Sequence, residues 1–160
     1  KGHRYFAVVK GSEQSEPAAM RMRGIEHALK EADIVLEKRN IITGNWKYKE
    51  TRAQVQEMLK RQDCPRAFIA MNDEMAVAVR DAALEAGLQI PDDLSVAGFD
   101  NSDIVHYGMP KITTVDRPLQ GMGYKAMELL LDKIENNYDG DVNITLPCRI
   151  IEGTSIKVLD

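Results

Sequence analysis

Arg21, Trp46, Asn72, Asp73, Asp100 and Asn101 are the residues whose types and positions suit recognition chemistry. An arginine supplies paired donors in a fixed fork. Asparagine and aspartate accept hydrogen bonds from hydroxyls or ring N–H groups. Tryptophan offers an apolar face to a sugar or base ring. Together they suit a polyhydroxylated or heterocyclic small molecule. Each also has a plainer role open to it. Asp73 suits a helix N-cap better than a ligand contact, and Asn72 also suits a turn. Trp46 also suits a partly buried packing position, and Arg21 a surface helix charge. Asp100 ends an apolar run, where a carboxylate needs a reason to exist.

The spacings that signal catalysis are missing. The chain contains no GxGxxG or GxxxxGK[ST] nucleotide fingerprint and no GxSxG nucleophile elbow. His3, His27 and His106 are scattered without metal-ligand spacing, so no metal is expected, and no cofactor. A phosphoacceptor domain needs an acidic pair just after the first strand, and VVKGSE (8–13) supplies only Glu13. The residues read as a binding protein and not as an enzyme.

Bulk properties fit that reading. The 160 residues suffice for one domain. Apolar residues are 44% and charged residues 29%, the balance of an ordinary globular protein. Aromatics at 6% argue against a sugar platform lined with rings. A net charge of −4 gives no general attraction for a phosphate backbone, so these residues are not expected to contact DNA. Cys64 and Cys148 show no CxxC spacing. They read as two thiols of a reducing compartment, with a single disulfide as the alternative. No apolar run approaches the ~20 residues of a membrane span. The chain starts at Lys1 with a strand-like run close behind and no visible signal peptide. It reads as a fragment of something longer.

The elements that must position the six residues alternate in type. Residues 5–9 (YFAVV), 67–71 (AFIAM) and 94–99 (LSVAGF) are compact apolar runs, the mark of strands buried on both faces. Residues 35–42 form a further strand candidate interrupted by charge, and 112–115 (ITTV) an extended segment. Helices are predicted over 16–32, 47–62, 73–86 and 118–136. Ser12 and Ser15 are candidate caps, Pro17 suits a first turn, and Gly87 suits a C′ stop. Alternating strands and helices imply βαβ units and a mostly parallel sheet. Ligands then bind beyond the carboxyl ends of the strands, where Trp46, Asn72, Asp73, Asp100 and Asn101 fall, with Arg21 on the helix after the first strand. Leu129, Leu130 and Leu131 are adjacent, so the last helix needs partners on more than one side.

Five stretches, in order along nearly the whole chain, resemble the LacI/GalR transcription regulators. They are GHRYFAVV (2–9), RMRGIEHAL (21–29), AFIAMNDEMAVAV (67–79), LQIPDDLSVAGFDN (88–101) and PKITTVDRP (110–118). The resemblance implies a three-layer α/β fold, a parallel sheet flanked by helices. This is the flavodoxin-like half of a periplasmic-binding-protein-like type I sensor, with the effector held between two subdomains. By position, Arg21, Trp46, Asn72 and Asp100 match the family's effector-contacting places.

The resemblance divides the chain into a C-terminal effector subdomain (1–115), a crossover helix (116–138) that packs on an absent N-terminal subdomain, and return strands (139–160). It implies a cytoplasmic homodimer with 74–86 at the interface, although Met75, Val77 and Val79 equally suit a core. It also implies operator DNA bound through a helix-turn-helix absent here. A sugar suits the site best as effector, a purine second. The runner-up is a periplasmic sugar-binding protein of a transporter, followed by a sensor fused to a different DNA-binding head. Two departures stand out. Gly153 replaces the family's arginine two residues before Ser155, and Arg23 stands where a small residue is usual.

Overall fold

The computed structural model describes residues 1–136, 140 and 142–159. Its elements are β1 (Phe6–Lys10), α1 (Glu16–Glu31), β2 (Ile41–Thr43), α2 (Tyr48–Leu59), β3 (Ala67–Ala70), α3 (Asp73–Glu85), β4 (Ser95–Ala97), β5 (Thr114–Asp116), α4 (Leu119–Asn136) and β6 (Arg149–Ile151). Short 3-10 turns cover Lys38–Asn40 and Asp103–His106.

Strands β2-β1-β3-β4 form one parallel sheet in that order. Right-handed crossovers then place α1 on one face and α2 with α3 on the other. The strand order reverses between β1 and β3, so a crevice opens at their carboxyl ends. Strands β5 and β6 pair antiparallel. Single bridges, Ala97 to Thr113 and Asp100 to Asp116, attach β5 alongside β4.

Local chemistry explains the boundaries. The Ser15 side chain caps α1 by accepting from the Ala18 N–H, with a proline in the first turn. Gly87, at φ +78°, ends α3 in a left-handed conformation. Val9, Phe68, Met75, Val79 and Val96 are buried in one core cluster on the α2–α3 side of the sheet, and Val8 is buried on the α1 side.

Several expectations are corrected. The strand predicted over 35–42 is only Ile41–Thr43, preceded by a 3-10 turn, and Val35 is exposed. Lys38 and Arg39 keep that segment in solvent. Asn72, not Asp73, is the N-cap of α3, and its Oδ1 accepts from the Met75 N–H at 2.9 Å. In α3, Met75, Val77 and Val79 serve the core. Cys64 is buried, Cys148 is exposed, and both are free. Arg23 is exposed and pairs with Glu16. The departure at Gly153 has a steric cause: a Cβ there would lie 2.3 Å from the Lys111 carbonyl oxygen. Ser155 beside it is buried, donating to the Val96 carbonyl and accepting from the Thr113 N–H.

Helix α4 keeps its apolar residues in solvent: Leu119, Met122, Tyr124, Met127, Leu130, Leu131 and Ile134 are all exposed. The expected boundary between crossover helix and tail, 138 and 139, lies outside the described residues. No helix among the described residues is long and apolar enough to cross a membrane.

Candidate functional site

The site is built around Arg21, which α1 carries toward the crevice between β1 and β3. Its Nη1 donates to the Met71 carbonyl at the end of β3, and its Nη2 donates to Asp100 Oδ1 at 2.9 Å. The guanidinium lies 4.0 Å from the Phe99 ring centroid and 5.6 Å from that of Trp46. Planar stacking and paired donation are the two properties that distinguish arginine from lysine in a site. Arg21 and Asp100 are each mostly buried, so solvent screens their pairing only in part.

Two turns hold the partners of Arg21, and both turns are unusual. Asn45 and Trp46 have φ of +52° and +65°, Asp100 and Asn101 φ of +110° and +52°. Left-handed backbone in residues other than glycine costs on the order of 1–3 kcal/mol each and gathers at functional sites. Each turn is over-determined. The first is closed by the Lys47 N–H on the Gly44 carbonyl, the Gly44 N–H on the Lys10 carbonyl, and Asn45 Nδ2 on Glu50. It lays the Trp46 ring on Gly11, where a Cβ would fall 2.0 Å from the indole. Gly11 therefore shapes the aromatic wall by having no side chain.

The second turn is tied by Asp73. This buried carboxylate accepts from the Ser102 N–H at 2.7 Å, from the Ser102 hydroxyl at 3.1 Å and from the Thr114 hydroxyl at 2.5 Å. It joins the start of α3, the Asp100–Asn101 turn and β5. Burial pushes its pKa up, against the pull of those hydrogen bonds. Asp116 is held low instead, by hydrogen bonds from Asn101 and Arg149.

Arg21, Trp46 and Asp100 are thus brought together, with Asn72 next to the Met71 carbonyl that Arg21 holds. Asn72 spends its oxygen on the α3 cap. Asp73 is a tie behind the site. Sequence reasoning missed Gly11 and Arg117. Gly11 carried only the signal of a glycine just after a strand, and Arg117 lay unremarked within PKITTVDRP. The Arg117 Nε sits 3.0 Å from the same Asp100 oxygen that Arg21 uses.

Two hollows meet at this pair. One, about 610 Å³, runs along the sheet beside α1 and is walled by apolar groups, including Ile25, Ile69, Ala97 and Phe99. The other, about 580 Å³, has a mixed polar and apolar lining and lies between Asp100 and the start of α4. The arrangement offers an aromatic face, a donor fork and a carboxylate on an open surface. That suits binding of a hydroxylated ring.

Comparison with known proteins gives the family. The family model of the periplasmic binding protein-like domain matches residues 1–156. The HTH-type transcriptional repressor PurR of Klebsiella pneumoniae (strain 342) is 32% identical over 156 residues, covering 98% of this chain and 46% of that protein. A crystal structure of a LacI-family regulatory protein from Chloroflexus aggregans superposes with a TM-score of 0.90 at 30% identity, over 98% of this chain and 56% of that one. The transcriptional regulator CelR in complex with cellobiose superposes with a TM-score of 0.87 at 27% identity, over 96% of this chain and 47% of that one. The chain spans about half the length of the curated relatives it matches. These relatives are regulators, as the five motifs implied, and not transporter receptors.

Proposed function

Because the chain belongs to the periplasmic binding protein-like domain family, in the branch of the LacI/GalR regulators, we propose that it forms one half of the effector-sensing region of a bacterial transcription regulator. The observation that carries the reading is the Arg21–Asp100 pair at the carboxyl ends of β3 and β4, walled by Trp46 and Phe99. In this reading Arg21 donates to ligand oxygens, Asp100 accepts from hydroxyls, Trp46 covers a ring face and the Asn72 amide donates from the edge. A sugar fits this set best, and a purine second. The role is binding without catalysis.

The other half of the pocket belongs to a second subdomain outside these residues, and α4 crosses to pack on it. The seven exposed apolar residues of α4 support that placement. Effector binding then shifts the relative orientation of the subdomains, by no more than its differential affinity for the two orientations. In a cytoplasmic homodimer that shift changes operator affinity through a helix-turn-helix head.

The test uses the intact regulator. Mono- and disaccharides and purine bases are screened by thermal shift and calorimetry, with and without operator DNA. One compound is expected to raise the melting midpoint and to change DNA retention, and Arg21→Ala is expected to abolish both. Binding that survives Arg21→Ala and Asp100→Ala together refutes the assignment of this site.

A further inference from the structure

Asp100 serves two arginines with one oxygen. Arg21 Nη2 lies 2.9 Å from Oδ1 and Arg117 Nε lies 3.0 Å from it. The two cations come from opposite sides, Arg21 from α1 and Arg117 from the link between β5 and α4. The Arg117 contact is poorly aligned, because its Nε is buried and has no hydrogen-bond partner. Yet 35% of the Arg117 side chain is exposed, on the side of the hollow it lines. The second buried orphan at this spot is Asn101 Oδ1. Two of the four such side-chain atoms among the described residues therefore meet at one hollow. Buried polar groups normally have partners, so a cluster of orphans marks an unfinished site.

The charges around this hollow are unequal. Asp116 is occupied by Asn101 at 3.1 Å and Arg149 at 2.8 Å. Asp73 has its oxygens filled by Ser102 and Thr114. That leaves Asp100 alone against Arg21 and Arg117. A neutral sugar bound to Asp100 and Arg21 competes with Arg117 for this carboxylate, the one anion that pairs with Arg117 among the described residues. A ligand with an oxyanion beside its hydroxyls removes that conflict. The oxyanion takes Arg117, and Asp100 turns to a hydroxyl.

We propose that Arg117 is a specificity-determining residue of the effector site, and that the effector is an acidic sugar derivative whose carboxylate or phosphate it binds. This rests on the effector-site reading above and narrows it. Guanidinium is suited to either oxyanion through charge-assisted, often bidentate, hydrogen bonds.

The experiment measures binding to the intact regulator by calorimetry. The probes are matched sets in the gluco, galacto and manno series: the neutral hexose, its uronate, its aldonate and its 6-phosphate. One acid is expected to bind about tenfold or more tightly than its neutral parent, with a preference that falls as salt rises. Whether the uronate, aldonate or 6-phosphate wins identifies the oxyanion. Arg117→Gln is expected to collapse the acid-to-neutral ratio toward one, and Arg117→Lys to restore part of it. Melting curves of both variants without ligand separate this loss from misfolding. Equal binding of neutral and acidic probes, or a ratio unchanged in Arg117→Gln, overturns the proposal. If a neutral sugar binds and Arg21→Gln abolishes it while no acid is preferred, the effector site stands and the role of Arg117 falls. If no acidic probe binds while another compound binds through Arg21, the proposal for Arg117 falls and the effector site stands; if a probe binds and Arg21→Gln leaves it unchanged, both fall.

Discussion

Helices α3 and α4 are both rich in apolar residues, and they end in opposite places. Of the 13 residues of α3, nine are buried, including Asp73 and Arg80. Of the 18 residues of α4, none with a described side chain is buried. The difference lies in their neighbours. Helix α3 packs on the sheet beside α2, elements that precede it closely in the chain, so short connections deliver its partners. Helix α4 follows a strand that leaves the sheet edge, and no described element covers it. Apolar periodicity thus states that a helix needs covering without stating what covers it. An exposed apolar face of this size marks an interaction surface.

The largest effect tests that contrast directly. In the 160-residue chain, Met75→Ala in α3 is expected to cost about 2–5 kcal/mol in urea unfolding, because it opens a cavity in a sealed core. Leu130→Ala in α4 is expected to stay within about 0.5 kcal/mol, as for other surface changes. Equal costs would break the comparison. In the intact regulator the cost of Leu130→Ala is expected to rise toward the α3 value if another subdomain covers α4.

The next effect concerns how α3 organises the site. Asp73→Asn turns an amide toward donors on Ser102 and Thr114, leaving buried groups unsatisfied. The expected loss is about 1–3 kcal/mol of stability. It also frees the Asp100–Asn101 turn, so effector binding is expected to weaken even where the protein remains folded. Unchanged binding in a folded variant would show that the turn holds itself.

A smaller effect is expected at the helix start. Asn72→Ala removes the side-chain cap of α3 and should cost about 1 kcal/mol, read as a lower urea midpoint without ligand. A negligible loss would mean that burial of α3 dominates its end chemistry.

These residues also show where sequence reading succeeds and stops. The runs at 5–9 and 67–71 were legible as strands because continuous apolar residues in a short run fit a sheet covered on both faces. Helices α1 to α4 were legible from spacing and caps. At Asn72–Asp73 the cap was assigned to the wrong residue, Asp73, since both residue types cap well and only the fold decides which one faces inward. Ser102 and Thr114 claim Asp73, so the cap falls to Asn72. The 35–42 run failed because strand-like residues at 35, 36 and 41–43 are split by charge, and only the last three reach β1. In the site, Arg21, Trp46 and Asp100 were legible from strand-end position and the family resemblance. Their convergence was not, nor was Arg117, whose contact with Asp100 depends on β5 lying beside β4.

The smallest effect is a pH dependence, and its sign separates α3 from α4 once more. Burial raises the pKa of Asp73 above its ordinary value of 3.8. The folded protein therefore holds this proton more tightly than the unfolded chain does. The associated stability is fully present below the unfolded value and is lost as pH rises through the raised folded value. Glu50, Asp63 and Asp116 act in the opposite sense, because hydrogen-bonded partners hold their pKa values down. They remain in Asp73→Asn, so subtracting its unfolding curve from that of the wild type cancels them. The stability difference between wild type and Asp73→Asn is expected to shrink as pH climbs from below the ordinary aspartate range toward neutrality. A difference that grows instead would mean that the hydrogen bonds from Ser102 and Thr114 outweigh desolvation. The difference between wild type and Leu130→Ala should stay flat over the same range, since Leu130 is exposed and no described side chain of α4 is buried.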